Sequence, residues 1–371
     1  MELKQFYLQK RINVIPVTKS FLPPIEEYMA QVQRAYDNVW LTNRGELVKE
    51  LEQKLTDYLD LKESKIICMS NGTVPLQIAL KLLGQGGEII TTPFSYVATT
   101  AAIAWENCTP VFVDIHPEYL TIDETLIEAA ITEKTTCILA THVFGNPCNI
   151  EEIERISKKH NLKVIYDAAH CFGVKYKGKC IFEYGDVSTC SFHATKLFHT
   201  GEGGAIFCKD KKLFHQIFYS HNFGHNGLLD FHGLGINGKI SELQAAMGLA
   251  VLPHMAQILK CRQEAVSTYS KKLNPTFQIL KSRDGSEWNY SYFPVLFTNE
   301  EALLAAEQNL KANNILARRY FYPCLNTLKY TNSARMPVSE DISNRILCLP
   351  LYFGLVDFEI NTISSIINHF S

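Results

Sequence analysis

A lysine and an aspartate carry most of the chemical information in this sequence. Lys196 lies in the stretch SFHATKLFHTGEGGAI, and Asp167 closes the apolar run of KVIYDAAH. An amine that condenses with an aldehyde must first lose its proton. A lysine ammonium, with a pKa of ~10.4 in water, does so near neutrality only if burial or neighbouring charges lower it. A carboxylate facing a pyridine nitrogen keeps that ring protonated and electron-withdrawing. Together the two residue types are what a protein needs to hold and use pyridoxal 5'-phosphate (PLP). Each alone has a plainer reading, because most lysines are solvated surface charges and an aspartate after a strand often caps the next turn. Their order and context favour the cofactor.

Other residues fall where such a cofactor would need them. Ser70-Asn71-Gly72-Thr73 follows the strand-like IICM and opens a helix, so the amides of Gly72 and Thr73 lie where a helix dipole favours phosphate. A plain N-cap by Asn71 or Thr73 explains the same residues equally well. Ser191 could add a hydroxyl to that phosphate. Tyr96, in TTPFSYVATT, follows a strand end and could stack on a pyridine ring or simply pack in the core. His170 could face the phenolic oxygen of the cofactor or cap its own turn. His221, His225 and His232 cluster in sequence, but no glutamate follows His221, so the HExxH zinc pattern is absent and no metal is assigned. The run GQGGEII leads into a strand and not a helix, the reverse of a dinucleotide fingerprint, and reads as a turn.

The elements that must position these groups show in the hydrophobic pattern. SKIICMS, EIITTP, TPVFVDI, TCILATHVFG, LKVIYDAA, DVSTCSFH and GAIFCKD read as seven strands. TVPLQIALKLLG, SYVATTAAIAWEN, DETLIEAAI and NIEEIERISKKHN read as helices between the first five. The repeat predicts an α/β fold with a mostly parallel sheet and active groups at the C-terminal strand ends. Val48, Leu51 and Leu55 predict a helix upstream, and the segment from Ser241 predicts a long helix interrupted at Pro253. We expect a large domain over 1–250 and a smaller α/β domain over 251–371.

Composition narrows the function classes. With 36 basic and 38 acidic residues in 371, the formal charge of -2 gives no field that would favour nucleic acid or an anionic membrane. Eleven cysteines, an odd number without a CxxC pair, read as reduced core thiols and point to the cytoplasm. MELKQFYLQKRINVIPV has charges throughout and no signal-type apolar core, and no 18-residue apolar run occurs, so neither export nor a membrane span is expected.

With these motifs in view, the chain resembles the DegT/DnrJ/StrS family of PLP-dependent nucleotide-sugar aminotransferases, a branch of the fold type I aspartate aminotransferase superfamily. The likeness runs nearly end to end: IPVTKSFLPP, LTNRGELVKELE, SNGT, TTPFSYVAT, VFVDI, DAAHCFG, SFHATK with GEGGAI, GINGKISELQAAMGL and RRYFYPCL. It implies that Lys196 bonds to the PLP aldehyde, with pyridoxamine 5'-phosphate as the alternate cofactor form, and that Asp167 pairs with the ring nitrogen. It also implies stacking by Tyr96, phosphate contacts from Gly72, Thr73 and Ser191, and His170 beside the phenolic oxygen. Asn237 matches an asparagine that these homodimers contribute from the partner subunit. Where the family often has Asn-x-Arg, this chain has Asn237-Gly238-Lys239, which keeps the charge and loses the planar fork.

The same resemblance implies substrates. L-Glutamate is the expected amino donor and a keto nucleotide sugar the acceptor. The histidine of SFHATK is similar to members that aminate 4-keto sugars, which implies dTDP-4-keto-6-deoxy-D-glucose as acceptor in surface-polysaccharide or glycoside biosynthesis. A 3-keto acceptor is the alternative. Trp40, Thr42, Asn43, Arg318, Arg319 and Tyr320 lie in segments expected to flank the sugar nucleotide. A sugar dehydratase of the same fold would carry histidine in place of Lys196, and a PLP-binding regulator would be expected to bring an added nucleic-acid-binding segment, which is not seen.

Overall fold

The computed structural model describes residues 14–331 and 334–371. The start of the leader reading, residues 1–13, lies outside them. A helix α1 (Ile25–Asp37) and α2 (Glu46–Tyr58) precede the first strand, the latter where Val48, Leu51 and Leu55 place an apolar stripe. Alternation then begins: β1 (Lys65–Met69), α3 (Thr73–Leu83), β2 (Glu88–Thr91), α4 (Val97–Trp105), β3 (Thr109–Phe112), β4 (Thr135–Thr141), α5 (Ile150–His160) and β5 (Lys163–Asp167). A small hairpin, β6 (Lys175–Tyr176) and β7 (Lys179–Cys180), leads to β8 (Val187–Ser191), β9 (Gly204–Cys208) and α6 (Lys211–Ser220).

Seven strands form one sheet in the order β1-β9-β8-β5-β4-β2-β3, with β9 antiparallel to both neighbours and all other pairs parallel. Successive residues of each strand enter opposite cores, as a two-residue period requires. Ile66, Cys68, Ile138, Ala140, Val164 and Tyr166 face one layer with Leu51 and Ile153. Ile67, Met69, Cys137, Leu139 and Ile165 face the other with Leu80 and Ile103. Coverage on both faces explains why the strands are continuous apolar runs rather than half-polar ones.

One expectation changes in detail, and another, the interruption at Pro253, holds. DETLIEAAI is not a helix but two 3-10 turns, Glu124–Leu126 and Glu128–Ala130, whose bonds reach back only three residues, as from Ile127 N to Glu124 O. The long segment after Ser241 divides into α7 (Glu242–Val251) and α8 (Met255–Lys272) across a 3-10 turn, Leu252–His254, that contains Pro253.

Beyond α8 lie β10 (Gln278–Ile279), β11 (Ser286–Glu287), β12 (Phe293–Leu296), α9 (Glu300–Ala312), α10 (Pro337–Arg345), β13 (Ile346–Leu349) and α11 (Asp357–Asn368). The antiparallel sheet β10-β12-β13 builds a separate core with α8, α9 and α11, containing Tyr269, Val295, Leu303, Leu347 and Ile363. A further apolar cluster, including Phe94, Phe144, Tyr292 and Phe321, joins this part to the ends of the large sheet.

Candidate active site

Parallel strands end together, and the segments leaving β1, β2, β4, β5 and β8 meet at one edge of the sheet. There they wall a cleft of roughly 1000 Å³ of open space, lined by Gly72, Thr73, Tyr96, Asp167, His170, Ser191, Lys196, Arg318 and Tyr320 among others. Residues from six separate stretches of sequence thus converge on one place.

Lys196 sits in a tight turn in which its amide donates to His193 O at 2.8 Å, while Ala194 N and Phe192 N are tied to Gly201 O and Gly203 O. Enclosure lowers the affinity of its amine for a proton, against the opposing pull of Tyr320 and Asp167. Asp167, at the end of β5, is buried. Its Oδ2 accepts from Thr99 Oγ1 at 2.8 Å and its Oδ1 from Ala169 N at 3.2 Å. Burial raises its pKa, and these two bonds together with the Lys196 charge work the other way. Thr99 is itself held in a hydroxyl chain with Ser95 at 2.8 Å, which continues to Thr141 at 3.1 Å.

His170 is buried and its pKa lies well below the ordinary histidine value, first because of burial and then because of Lys196. Its Nδ1 accepts the Phe144 amide at 3.2 Å, so the neutral ring carries its hydrogen on Nε2 as a donor. The ring lies parallel to Phe321, with 5.7 Å between centroids. Tyr96, 51 % exposed at the start of α4, presents its ring to the cleft.

At the start of α3 the plain cap is present: Asn71 Oδ1 accepts from Thr73 N at 2.8 Å and Val74 N at 2.9 Å. The Thr73 amide is therefore engaged, and the Thr73 hydroxyl and the Gly72 backbone are the groups left to meet an anion. Gly72 is required sterically, because a Cβ there would stand 2.7 Å from Ser191 Cβ. Gly204 has a similar cause: a Cβ would come within 2.3 Å of Asn71 O. These close approaches set Gly72 and Ser191 side by side.

The cleft fits PLP in its donor set. It offers a half-buried amine, a buried carboxylate lining the same cleft, an aromatic face and a glycine cradle beside a serine hydroxyl. Other candidates stand elsewhere. Trp40, Thr42 and Asn43 are exposed and not among the lining residues. Arg319 is bound to Glu300 at 2.6 Å and to Asn344 O at 3.0 Å and is not among the lining residues. Arg318 remains at the cleft, its guanidinium 4.4 Å from the Tyr320 ring centre. Asn237 is exposed, bridged to Asn222 outside the lining of its own chain's cleft, and the Lys239 amine donates to Asn222 Oδ1 at 2.8 Å. Among the described residues no group of three metal-ligating side chains is assembled.

Sequence reasoning missed Thr99, Tyr292 and Phe321, which reach the site through long-range contacts. It used His193 only as a mark of the acceptor and passed over Glu202, and both line the cleft. For these two a signal existed, since both lie in the stretch that carries Lys196.

Comparison with known proteins gives the family. Residues 24–368 match the DegT/DnrJ/EryC1/StrS aminotransferase family. The chain is 40 % identical over 362 residues to a dTDP-4-amino-4,6-dideoxy-D-glucose transaminase of Shigella dysenteriae, covering 94 % of this chain and 98 % of that one. It is 32 % identical to a GDP-perosamine synthase of Escherichia coli O157:H7, across 97 % and 99 % of the two chains. The solved structure of DesI in the presence of its TDP-sugar product superposes with a TM-score of 0.90 at 28 % identity, over 96 % of this chain and 92 % of that one.

Proposed function

Since the chain belongs to the DegT/DnrJ/EryC1/StrS aminotransferase family, we propose that it moves an amino group from L-glutamate to a keto nucleotide sugar. The acceptor in this reading is dTDP-4-keto-6-deoxy-D-glucose and the product dTDP-4-amino-4,6-dideoxy-D-glucose, for surface polysaccharide or glycoside assembly. One observation carries it: Lys196 and Asp167 share a cleft in a chain so similar, over almost its whole length, to a transaminase making that sugar.

PLP, when bound, supplies an aldehyde that receives the amine and a ring that draws electrons from the reacting carbon. The protein's part is to hold and to move protons. Lys196 would anchor the cofactor through Nζ and, when that amine is free, would carry a proton at that nitrogen to and from the substrate carbon. Asp167 would keep the ring nitrogen protonated. Ser191, Thr73 and Gly72 would hold the phosphate, Tyr96 would cover the ring, and the Nε2–H of His170 would serve the phenolic oxygen. Arg318 and Tyr320 stand where the sugar nucleotide enters.

The same reading divides the chain into a cofactor-holding domain over 1–250 and a companion over 251–371, supported by the separate core around β12 and β13. It pairs two copies as a homodimer, with Asn237 reaching the phosphate in the other subunit's cleft. Exposure of Asn237 and of the apolar Leu228 and Leu229 in the segment before it supports this. Ten buried, unpaired cysteines support work in the reducing cytoplasm. No helix of the described residues is long and apolar enough to cross a membrane.

The test is product identity. Purified protein with PLP, L-glutamate and a panel of 3-keto and 4-keto nucleotide sugars should give the 4-amino-4,6-dideoxyglucose nucleotide, read by mass spectrometry and NMR. Amination at C3 would replace this acceptor by the alternative, and no amino sugar from any member would overturn the proposal.

A further inference from the structure

Lys196 is not left free to rotate within its cleft. Its Nζ donates to Tyr292 Oη at 3.3 Å. Tyr292 immediately precedes β12 and so comes from the part of the chain with the smaller core. It is buried, with its ring centre 4.6 Å from that of His170 and 5.3 Å from that of Tyr320. Together with Phe172, Leu197 and Ser291 it walls a small chamber behind the lysine.

The segment carrying Tyr292 is fixed with unusual care. Arg262, buried on α8, forms no ion pair among the described residues. Its Nε donates to Tyr290 O at 2.9 Å and its Nη2 to Ser291 O at 2.6 Å. Burial pushes its pKa down to about 10, so an uncompensated cation is held inside to grip two carbonyls. Asn289 Nδ2 binds His170 O and Phe172 O at 2.8 and 2.9 Å, and Ser291 Oγ binds Phe144 O at 3.1 Å. Packing alone does not call for so many polar ties to one short segment, whereas locating a hydroxyl to a fraction of an ångström does.

We propose that Tyr292 is a positioning residue for Lys196: its phenol oxygen accepts one N–H of the unattached amine and holds that nitrogen beside the cleft between proton transfers. The inference rests on the reading of Lys196 as proton carrier. A lysine side chain has four rotatable bonds, and restricting its search converts binding order into rate. Ring and hydroxyl divide the work, the ring packing the cluster and the hydroxyl aiming the amine.

Tyr292→Phe keeps the packing and removes the hydroxyl. In the holoenzyme the single-turnover reaction with L-glutamate should slow about tenfold with KM for glutamate unchanged. In the full chain freed of PLP, competitive labelling of Lys196, followed by peptide mass spectrometry, should show its titration midpoint moved to lower pH, because the ammonium has lost an acceptor. Either readout remaining at the native value overturns the inference. If the variant does not fold, 4-fluorophenylalanine introduced at position 292 fills nearly the same space with a poor, non-ionising acceptor, and the same two readouts decide in the same way. Lys196→Ala separates the two levels: turnover retained there removes the proton carrier itself, whereas turnover lost there with an unaffected Tyr292→Phe removes only the positioning role.

Discussion

Desolvation draws Lys196 and Asp167 each toward its neutral form, and only for the lysine is that useful. A neutral amine can bond to an aldehyde, but an aspartic acid cannot hold a ring nitrogen protonated. The Thr99 hydroxyl and the Ala169 amide resist that drift by donating to the carboxylate. In Thr99→Val the carboxyl loses a donor to its charged form and its pKa rises further, so more alkali is needed to ionise it. The acidic limb of the kcat/KM profile should therefore move to higher pH, which a pH series on both proteins would read; coincident limbs would count against the role of Thr99. Asp167→Asn should still bind PLP yet lose on the order of 100-fold in kcat, because the missing charge matters as the carbanion develops. Steady-state kinetics beside a cofactor-binding titration would check it. Lys196 and Asp167 could be read from sequence because each stands in a motif with its own chemical signature. Thr99 and Tyr292 could not, since they meet their partners across 68 and 96 residues and nothing local distinguishes them from other core hydroxyls.

Strand ends are the elements that make the site, and the alternating apolar runs announce all seven of them. What such runs cannot announce is a short segment whose polar side chains find distant partners. In DETLIEAAI, Asp123 caps Thr125 N locally, while Glu124 is drawn inward to Asn149 Nδ2 at 2.6 Å, and the segment stops at 3-10 turns. A related long-range contact seats α10. Asp114, just past β3, accepts from Val338 N, Ser339 N and Ser339 Oγ at 2.9, 2.8 and 2.5 Å, so a carboxylate of the large sheet caps a helix 224 residues later. Asp114→Ala would strand those donors in a buried place at a cost of about 2–3 kcal/mol. A lower thermal midpoint by calorimetry, with the folded spectrum unchanged, is the expected result.

At the scale of the whole molecule the balanced charge leaves recognition to local sites, as the composition indicates. The surface is less neutral in another respect. Leu228 and Leu229 are 96 % and 97 % exposed in the segment leading to Asn237, a liability for an isolated chain and an asset for a paired one. Sedimentation equilibrium should give twice the chain mass of 42.1 kDa. In the proposed dimer, Leu229→Asp should weaken pairing and raise the Kd for PLP with it, about tenfold or more, because the phosphate contact proposed for Asn237 would go with the partner. A monomeric native protein with full PLP affinity would refute the shared site. The proposed pairing is the feature that one chain reveals least, since periodicity reports which face is apolar and not what covers it.

The most direct measurement is an absorbance spectrum of the PLP-loaded protein before and after L-glutamate, run in parallel on native protein and Lys196→Ala. The native sample should show an imine band that glutamate removes, leaving the absorbance of the amine form of the cofactor, and the variant should lack that protein-bound band and turn over no keto sugar. A native spectrum indifferent to glutamate, or a variant that transaminates at the native rate, would contradict the assignment of Lys196.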